Sequence, residues 1–271
     1  MTRDEWLARH PYLRPLAALE LLVARAADDL AVPGAAAPHF DDYRDDFHAG
    51  IPLLKSARVD IDFHPVEDAM PSLVERLALS DLPDRTMEQC RGLHAELRRG
   101  LAPLAGVVDA AWDRAPDAHG HGGLHRYLGW ALLVRFLRPV VAGFAAWRDE
   151  ERWLRNYCPA CGSPPAMGQL LGSDPGRLRL LSCGCCRSRW RYRRTGCPFC
   201  DARDEHRLAV VAVEGESGLR IDYCEGCRGY LKTYDGQGSE ELLLADWTSL
   251  HLDVIAADRG LERLAASLYE M

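Results

Sequence analysis

Four Cys-x-x-Cys pairs crowd into the seventy residues from Cys158 to Cys227: Cys158/Cys161, Cys183/Cys186, Cys197/Cys200 and Cys224/Cys227. Two cysteines separated by two residues turn both sulfurs toward one point. One pair half-encloses a tetrahedral ion, and a second pair from elsewhere in the chain closes the cage. Eight such cysteines of the chain's ten predict two mononuclear four-sulfur metal sites.

The spacing carries a repeat. Between Cys161 and Cys183 lie 21 residues, and between Cys200 and Cys224 lie 23. Each half opens with Cys-Pro-x-Cys and closes with Cys-x-x-Cys-Arg, with Trp190 following in the first half and Tyr230 in the second. The likeness predicts a tandem module of rubredoxin-like or zinc-ribbon type. Sequential, crossed and nested pairings all close a cage. Loop-closure entropy separates the sequential from the crossed pairing by only ~0.4 kcal/mol per loop. Because each copy holds one opening and one closing knuckle, the repeat favours sequential pairing: Cys158, Cys161, Cys183 and Cys186 in site 1, and Cys197, Cys200, Cys224 and Cys227 in site 2.

Other uses of cysteine fit less well. The first residues, MTRDEWLARHPYL, form no apolar leader, so a reducing compartment is expected, where such arrays bind metal rather than form disulfides. A thioredoxin-like motif needs one such pair, and iron–sulfur clusters show tighter runs. Cys90 falls in a helical pattern with Met87, His94 and Leu97 and reads as a buried small residue. Cys185, between two ligands, has no assigned role.

Residues 1–150 read as helical. Leu16, Leu19, Val23, Ala26 and Leu30 recur at helical period behind Pro15, and further helices are expected near 71–80, 84–100 and 103–113. Leu124 to Trp147 is strongly apolar, but Arg126, Arg135, Arg138 and Pro139 interrupt it, so a buried helix pair is expected rather than a membrane span. Residues 31–47 and 113–123 read as loops, and His119 and His121 in the second lack a third ligand. Near the C-terminus, residues 246–260 predict a helix with Asp246 as cap, Asp253 as a solvated or capping carboxylate and Gly260 past its end.

The net charge of −7 argues against a general nucleic-acid binder. Residues 158–234 nevertheless hold twelve Arg or Lys against eight Asp or Glu. Two divalent ions in eight thiolates would add a charge of about −4, which those cations balance. The segment RSRWRYRR at 187–194 alternates arginines with aromatics, which in a strand places them on opposite faces. That pattern serves either a docking stripe or a strand whose aromatics are buried. As a stripe, the contact residues are Arg189, Trp190, Arg193, Arg194, Tyr230 and Lys232. Four cysteine ligands leave no open coordination position, and no nucleophile triad, phosphate loop or dinucleotide fingerprint is present, so enzyme activity is not expected.

The stretches CPACGSPP (158–165), LSCGCCRSRWRYRRTGCPFC (181–200), IDYCEGCRGYLK (221–232) and LHLDVIAADRG (250–260) resemble the FdhE family, the accessory proteins for formate dehydrogenase. The first 150 residues match in length and helical character alone, and Cys185 stands where family members more often carry an apolar residue. The resemblance implies a multidomain α+β chain: a helical domain over 1–150, a first rubredoxin-like module over 151–195, and a second over 196–271 with a C-terminal helix. It also favours iron over zinc in the two sites. Further, it implies a cytoplasmic protein that binds the catalytic subunit of a respiratory formate dehydrogenase and is needed for its maturation before export. A zinc-ribbon nucleic-acid binder and a rubredoxin-like electron carrier are the alternative functions.

Overall fold

The structure is a computed structural model that describes residues 1–101, 106–108, 122–173, 176–216, 218–265 and 267–269. His119 and His121 lie outside the described residues, as does most of the helix expected over 103–113.

A capping box opens the chain: the Thr2 hydroxyl accepts from the Glu5 amide while the Glu5 carboxylate accepts from the Thr2 amide, and α1 follows over Arg3–Arg9. Helix α2 (Arg14–Asp28) starts with Pro15 in its first turn, where the missing amide proton costs nothing. The stretch 31–47 is not all loop. Its end folds into a 3₁₀ turn (Phe40–Tyr43) and α3 (Arg44–Ala49), because Phe40, Tyr43 and Phe47 pack against Phe144 and Trp147. Helices α4 (His64–Ala78) and α5 (Asp84–Leu97) pack together, and the fully buried Cys90 lies on α5. Burial pushes the Cys90 thiol up to about 11, leaving it protonated and inert.

The apolar stretch is a helix pair, α6 (Gly122–Phe136) and α7 (Arg138–Trp147), bent by 62° at Leu137. Among the described residues no single helix is long and apolar enough to cross a membrane. The apolar side chains of this bent pair, among them Leu128, Trp130, Leu132, Val140 and Phe144, fill the main core. A short α8 (Glu150–Trp153) ends the helical part.

The remainder is built on a six-stranded mixed sheet. Its strands are β1 (Pro165–Leu171), β2 (Leu178–Cys183), β3 (Arg189–Tyr192), β4 (Leu208–Ala212), β5 (Leu219–Cys224) and β6 (Tyr230–Asp235), in spatial order β3-β2-β1-β6-β5-β4. Each half is an antiparallel meander. The halves meet at a parallel seam, Met167 to Leu170 of β1 against Lys232 to Asp235 of β6. Gly168 lies in the seam, where a Cβ would sit 2.8 Å from the Leu231 side chain and 3.0 Å from that of Thr233, so a larger residue would force these side chains to shift. The architecture is therefore α+β, with the two tandem metal-ribbon modules joined into a continuous sheet.

Two cores cover this sheet. The larger one runs from the helices into the first module through Leu181, Trp190, Tyr192 and the cysteines of site 1. The smaller one packs Trp6, Leu13 and Ala17 of the N-terminal helices, together with α9 (Glu240–Leu243) and α10 (Leu250–Asp258), on Met167, Ile221, Tyr230 and Tyr234. The C-terminal segment departs from the single helix expected over 246–260: Asp246–Ser249 forms a 3₁₀ turn before α10. Asp246 does not cap a helix and Asp253 is not a solvated carboxylate, since both turn inward to Lys232.

Candidate metal centres

All four knuckles share one backbone design. The residue after the second cysteine adopts a left-handed conformation in each: Gly162 (φ 83°), Arg187 (φ 60°), Asp201 (φ 55°) and Arg228 (φ 59°). In three of the four, the amide of that residue donates to the carbonyl of the first cysteine, at 2.9 Å from Gly162 to Cys158, 3.1 Å from Asp201 to Cys197 and 2.8 Å from Arg228 to Cys224. In all four, the first cysteine's amide donates to a carbonyl five residues on, at Ser163, Ser188, Ala202 and Gly229. The left-handed step reverses the chain so that amides point inward at the sulfurs. Only Gly162 takes this conformation without Cβ strain. The other three hold it at a cost, a pattern associated with functional sites.

The sulfurs converge in the sequential pairing. In site 1, Cys158 Sγ lies 3.4 Å from Cys186 Sγ, and Cys161 Sγ lies 3.4 Å from Cys183 Sγ. In site 2, Cys197 and Cys227 are 3.7 Å apart, and Cys200 and Cys224 are 3.9 Å apart. Within each group, all four sulfurs lie within 4.8 Å of one another. A disulfide requires ~2.05 Å. Four thiolates each ~2.3 Å from a central ion stand about 3.8 Å apart at tetrahedral corners. The donor set, the spacing and the inward amides all fit a divalent ion held as a tetrathiolate.

The amides that stabilise thiolate charge are explicit. Cys185 N–H donates to Cys183 Sγ at 3.3 Å, and Phe199 N–H donates to Cys197 Sγ at 3.4 Å. Cys185 thus contributes through its backbone. Burial pushes the Cys158 and Cys186 thiols up. Burial also acts on Cys183, but hydrogen bonds from Cys158, Cys161, Cys185 and Cys186 outweigh it and hold this thiol well below the ordinary range. Ser163 Oγ lies 2.9 Å from the same sulfur. In site 2, Cys224 is likewise lowered against its burial by the amides of Cys227 and Gly226.

The two centres differ in access. All four cysteines of site 1 are buried, whereas Cys200 is exposed and Cys227 half-buried. The backbone amides of Leu53 and Leu54 in the helical part also donate to Pro159 and Ala160, both at 2.9 Å, which covers the first knuckle. A chelator added to the metal-loaded protein is therefore expected to remove metal in two phases, site 2 first. Thiolate-to-metal absorption read over time checks this, and Cys200→Ser should abolish the fast phase alone.

The residues expected to form a docking stripe divide. Trp190 is fully buried and its indole N–H donates to Arg155 O at 2.9 Å. Tyr230 is buried, with its hydroxyl donating to Asp253 Oδ1 at 2.7 Å. Lys232, 1 % exposed, donates to Asp246 Oδ1 at 2.6 Å and Asp253 Oδ2 at 2.8 Å. These three have no surface to offer a partner, which corrects that part of the expectation. Arg189 is half-buried and bonded to Gln169 Oε1. Arg193 lies half-buried with Asp201 at 3.1 Å, and Arg194 is exposed. The alternation is real, but it buries the aromatics. Tyr192 from β3 donates to Cys197 O at 2.9 Å and so ties the first module's edge to the second module's knuckle. That edge is itself covered, because Arg148 donates to Arg189 O while Glu150 accepts from Arg191 N.

A cleft of about 1160 Å³ separates α2 and α6 from the first module, lined in part by Glu20, Tyr127, Cys185, Arg187 and Tyr269. It borders site 1, with Cys183 among its lining residues. Sequence reasoning did not anticipate this cleft, whose walls come from segments far apart in the chain.

Comparison with known proteins places this geometry. Residues 157–194 match the family profile described as FdhE, central domain. The chain is 36% identical over 192 residues to the Protein FdhE homolog of Pseudomonas aeruginosa, covering 67% of this chain and 59% of the relative. It is 37% identical over 192 residues to the homolog of Stutzerimonas stutzeri, covering 67% and 58%. To the homolog of Aquifex aeolicus it is 31% identical over 134 residues, covering 48% and 47%. The aligned regions thus span between about half and three-fifths of these relatives' lengths. The crystal structure of the FdhE protein from Pseudomonas aeruginosa shares the fold, with a TM-score of 0.58 at 24% identity over 99% of this chain and 96% of that one. In its central domain, its relatives and its fold, the chain is similar to proteins of the FdhE family.

Proposed function

We propose that this protein is a non-enzymatic accessory factor. In this reading it binds the catalytic subunit of a respiratory formate dehydrogenase in the cytoplasm and assists its maturation before export. The observation that carries the reading is the pair of closed four-sulfur cages set on one continuous sheet in a chain similar to FdhE proteins. A tetrathiolate has no position left for water or substrate, so its ion would hold a surface in shape rather than act as a Lewis acid. Cys158, Cys161, Cys183 and Cys186 would hold one ion, and Cys197, Cys200, Cys224 and Cys227 the other, with iron favoured over zinc. Iron would add one-electron redox chemistry at the sulfurs. The exposed Cys200 gives site 2 the closer approach to a partner.

The remaining surface arginines, Arg187 beside site 1 and Arg193 and Arg194 beside site 2, form the basic contact surface in this reading. The test is co-purification from cells that express the dehydrogenase, with metal analysis of protein kept free of oxygen. Capture of the catalytic subunit is expected, and the double charge reversal Arg193→Glu with Arg194→Glu should weaken it about tenfold or more, while the thiolate absorption stays unchanged. Recovery of nucleic acid with a steep salt dependence, and never of the dehydrogenase, would overturn the reading.

A further inference from the structure

Three segments far apart in the chain bring His10, Glu216 and His251 together beside the second module. His10 ends α1, Glu216 lies in the turn between β4 and β5, and His251 sits in the first turn of α10. His10 Nε2 is 2.6 Å from Glu216 Oε1, and His251 Nε2 is 2.8 Å from the same oxygen. The imidazoles stack with centroids 5.1 Å apart, and the three side chains are 7 %, 8 % and 15 % exposed for His10, Glu216 and His251. Trp6, fully buried, covers the His10 ring at 3.9 Å. Tyr12, which is 57% exposed, stands edge-on to both histidines and marks the side facing solvent.

With both imidazoles neutral, this cluster holds more acceptors than protons. His10 Nδ1 faces the Trp6 carbonyl at 3.1 Å, an acceptor, so this nitrogen carries the proton. In the neutral ring, Nε2 is then a bare lone pair aimed at a carboxylate oxygen, itself an acceptor. Glu216 Oε2 and His251 Nδ1 are buried without a hydrogen-bond partner. Acceptor atoms from three residues thus converge on one point, where either a shared proton or a metal ion must lie among them. The neutral imidazole is the form that ligates metal.

We infer that His10, Glu216 and His251 form a third metal site, distinct from the cysteine cages, that binds a borderline divalent transition ion such as zinc. All three ligand atoms lie within 4.8 Å of one another. Two imidazoles and a carboxylate suit zinc or ferrous iron and disfavour calcium and magnesium, which require oxygen ligands. The Nδ1–H bond from His10 to a backbone carbonyl is the outer-shell contact that orients ligating histidines. Unlike the cysteine cages, this site supplies three protein ligands among the described residues, which leaves its ion an open position on the Tyr12 side for water or an external ligand. The ion also staples α1, the β4–β5 turn and α10 together.

Full-length protein with its cysteine cages loaded would be dialysed against micromolar free zinc and its zinc content per chain measured. A further equivalent beyond the cysteine-bound metal is expected, absent in Glu216→Gln and in His251→Gln. Cobalt at the same site should add weak d–d absorption with no thiolate-to-cobalt charge transfer. Wild-type protein that takes up no metal beyond the cysteine-bound equivalents overturns the site, and it does so whether or not the variants fold. Retention of the extra equivalent in both variants, with circular dichroism and thiolate absorption intact, overturns the assignment of its ligands.

Discussion

Replacing Cys158 and Cys161 together with serine is expected to remove one of the two thiolate-bound metals and to unfold more than the first module. Structural metal sites of this kind contribute apparent free energies of about 10 kcal/mol or more, comparable to the whole stability of a domain. Site 1 is enclosed by the larger core, with Cys158 and Cys161 fully buried against side chains that also pack on the helices. Its loss leaves serine hydroxyls where sulfurs had been, inside that core. The backbone bonds from Leu53 and Leu54 to the first knuckle then have no fixed partner. Helical circular dichroism and tryptophan fluorescence should therefore both decline, with Trp153 and Trp190 as buried reporters in the same core as the site. The matching change in site 2, Cys197→Ser with Cys200→Ser, should remove the other metal with a smaller loss of helical signal. Loss of both metals in either variant would contradict the sequential pairing of the sulfurs.

Lys232→Met is expected to lower stability by about 3–5 kcal/mol, because it breaks a buried ion network and leaves a carboxylate without its partner. In that network Lys232 and Arg263 face Asp246 and Asp253, two cations against two anions. Ser267 adds a hydrogen bond to Asp246 at 2.8 Å, and Tyr230 adds one to Asp253. Burial would raise the Asp246 carboxyl, but the Lys232 and Arg263 charges overcome it and hold the group well below the ordinary carboxylate range. A carboxylate whose affinity for protons is depressed by folding stabilises the fold above its unfolded range, and that contribution is lost as pH falls toward the folded value. The stability difference between wild type and Lys232→Met should therefore be largest near neutral pH and shrink in acid. Urea unfolding at several pH values, with thiolate absorption as a check on the metal sites, measures it. An equal difference at all pH values would mean that packing rather than charge holds Lys232.

Much of the candidate site was legible because metal ligation is a short-range code. Two cysteines at a fixed interval define half a cage whatever the rest of the chain does, and the repeat of opening and closing motifs pairs the halves. Helices such as α2 and the α6–α7 pair were legible for a similar reason, since period and proline position act locally. What stayed hidden depends on contacts between distant segments. Lys232, read as a docking residue, is drawn inward by Asp246 and Asp253, whose own roles read as cap and as solvated or capping carboxylate. Trp190 alternates with arginines as expected, yet its face is the interior one because α8 and the helical core cover that side of the sheet. His10, Glu216 and His251 share no motif, and only the fold brings them into one place.

The parallel seam between β1 and β6 also bears on how the chain must be made. Met167 finds its partner Lys232 only after the second module exists. At ribosomal speeds of about 5–20 residues per second, that interval lasts about 3–13 s. Throughout it, β1 can pair with β2 on one side while its other edge is open, a surface that invites pairing with a neighbouring nascent chain. Metal arriving at site 1 during those seconds would lock the meander early and leave that edge in place, waiting for β6. The order of metal delivery and translation thus becomes part of the folding problem, and the two cages differ in when they can be filled as well as in how easily they can be emptied.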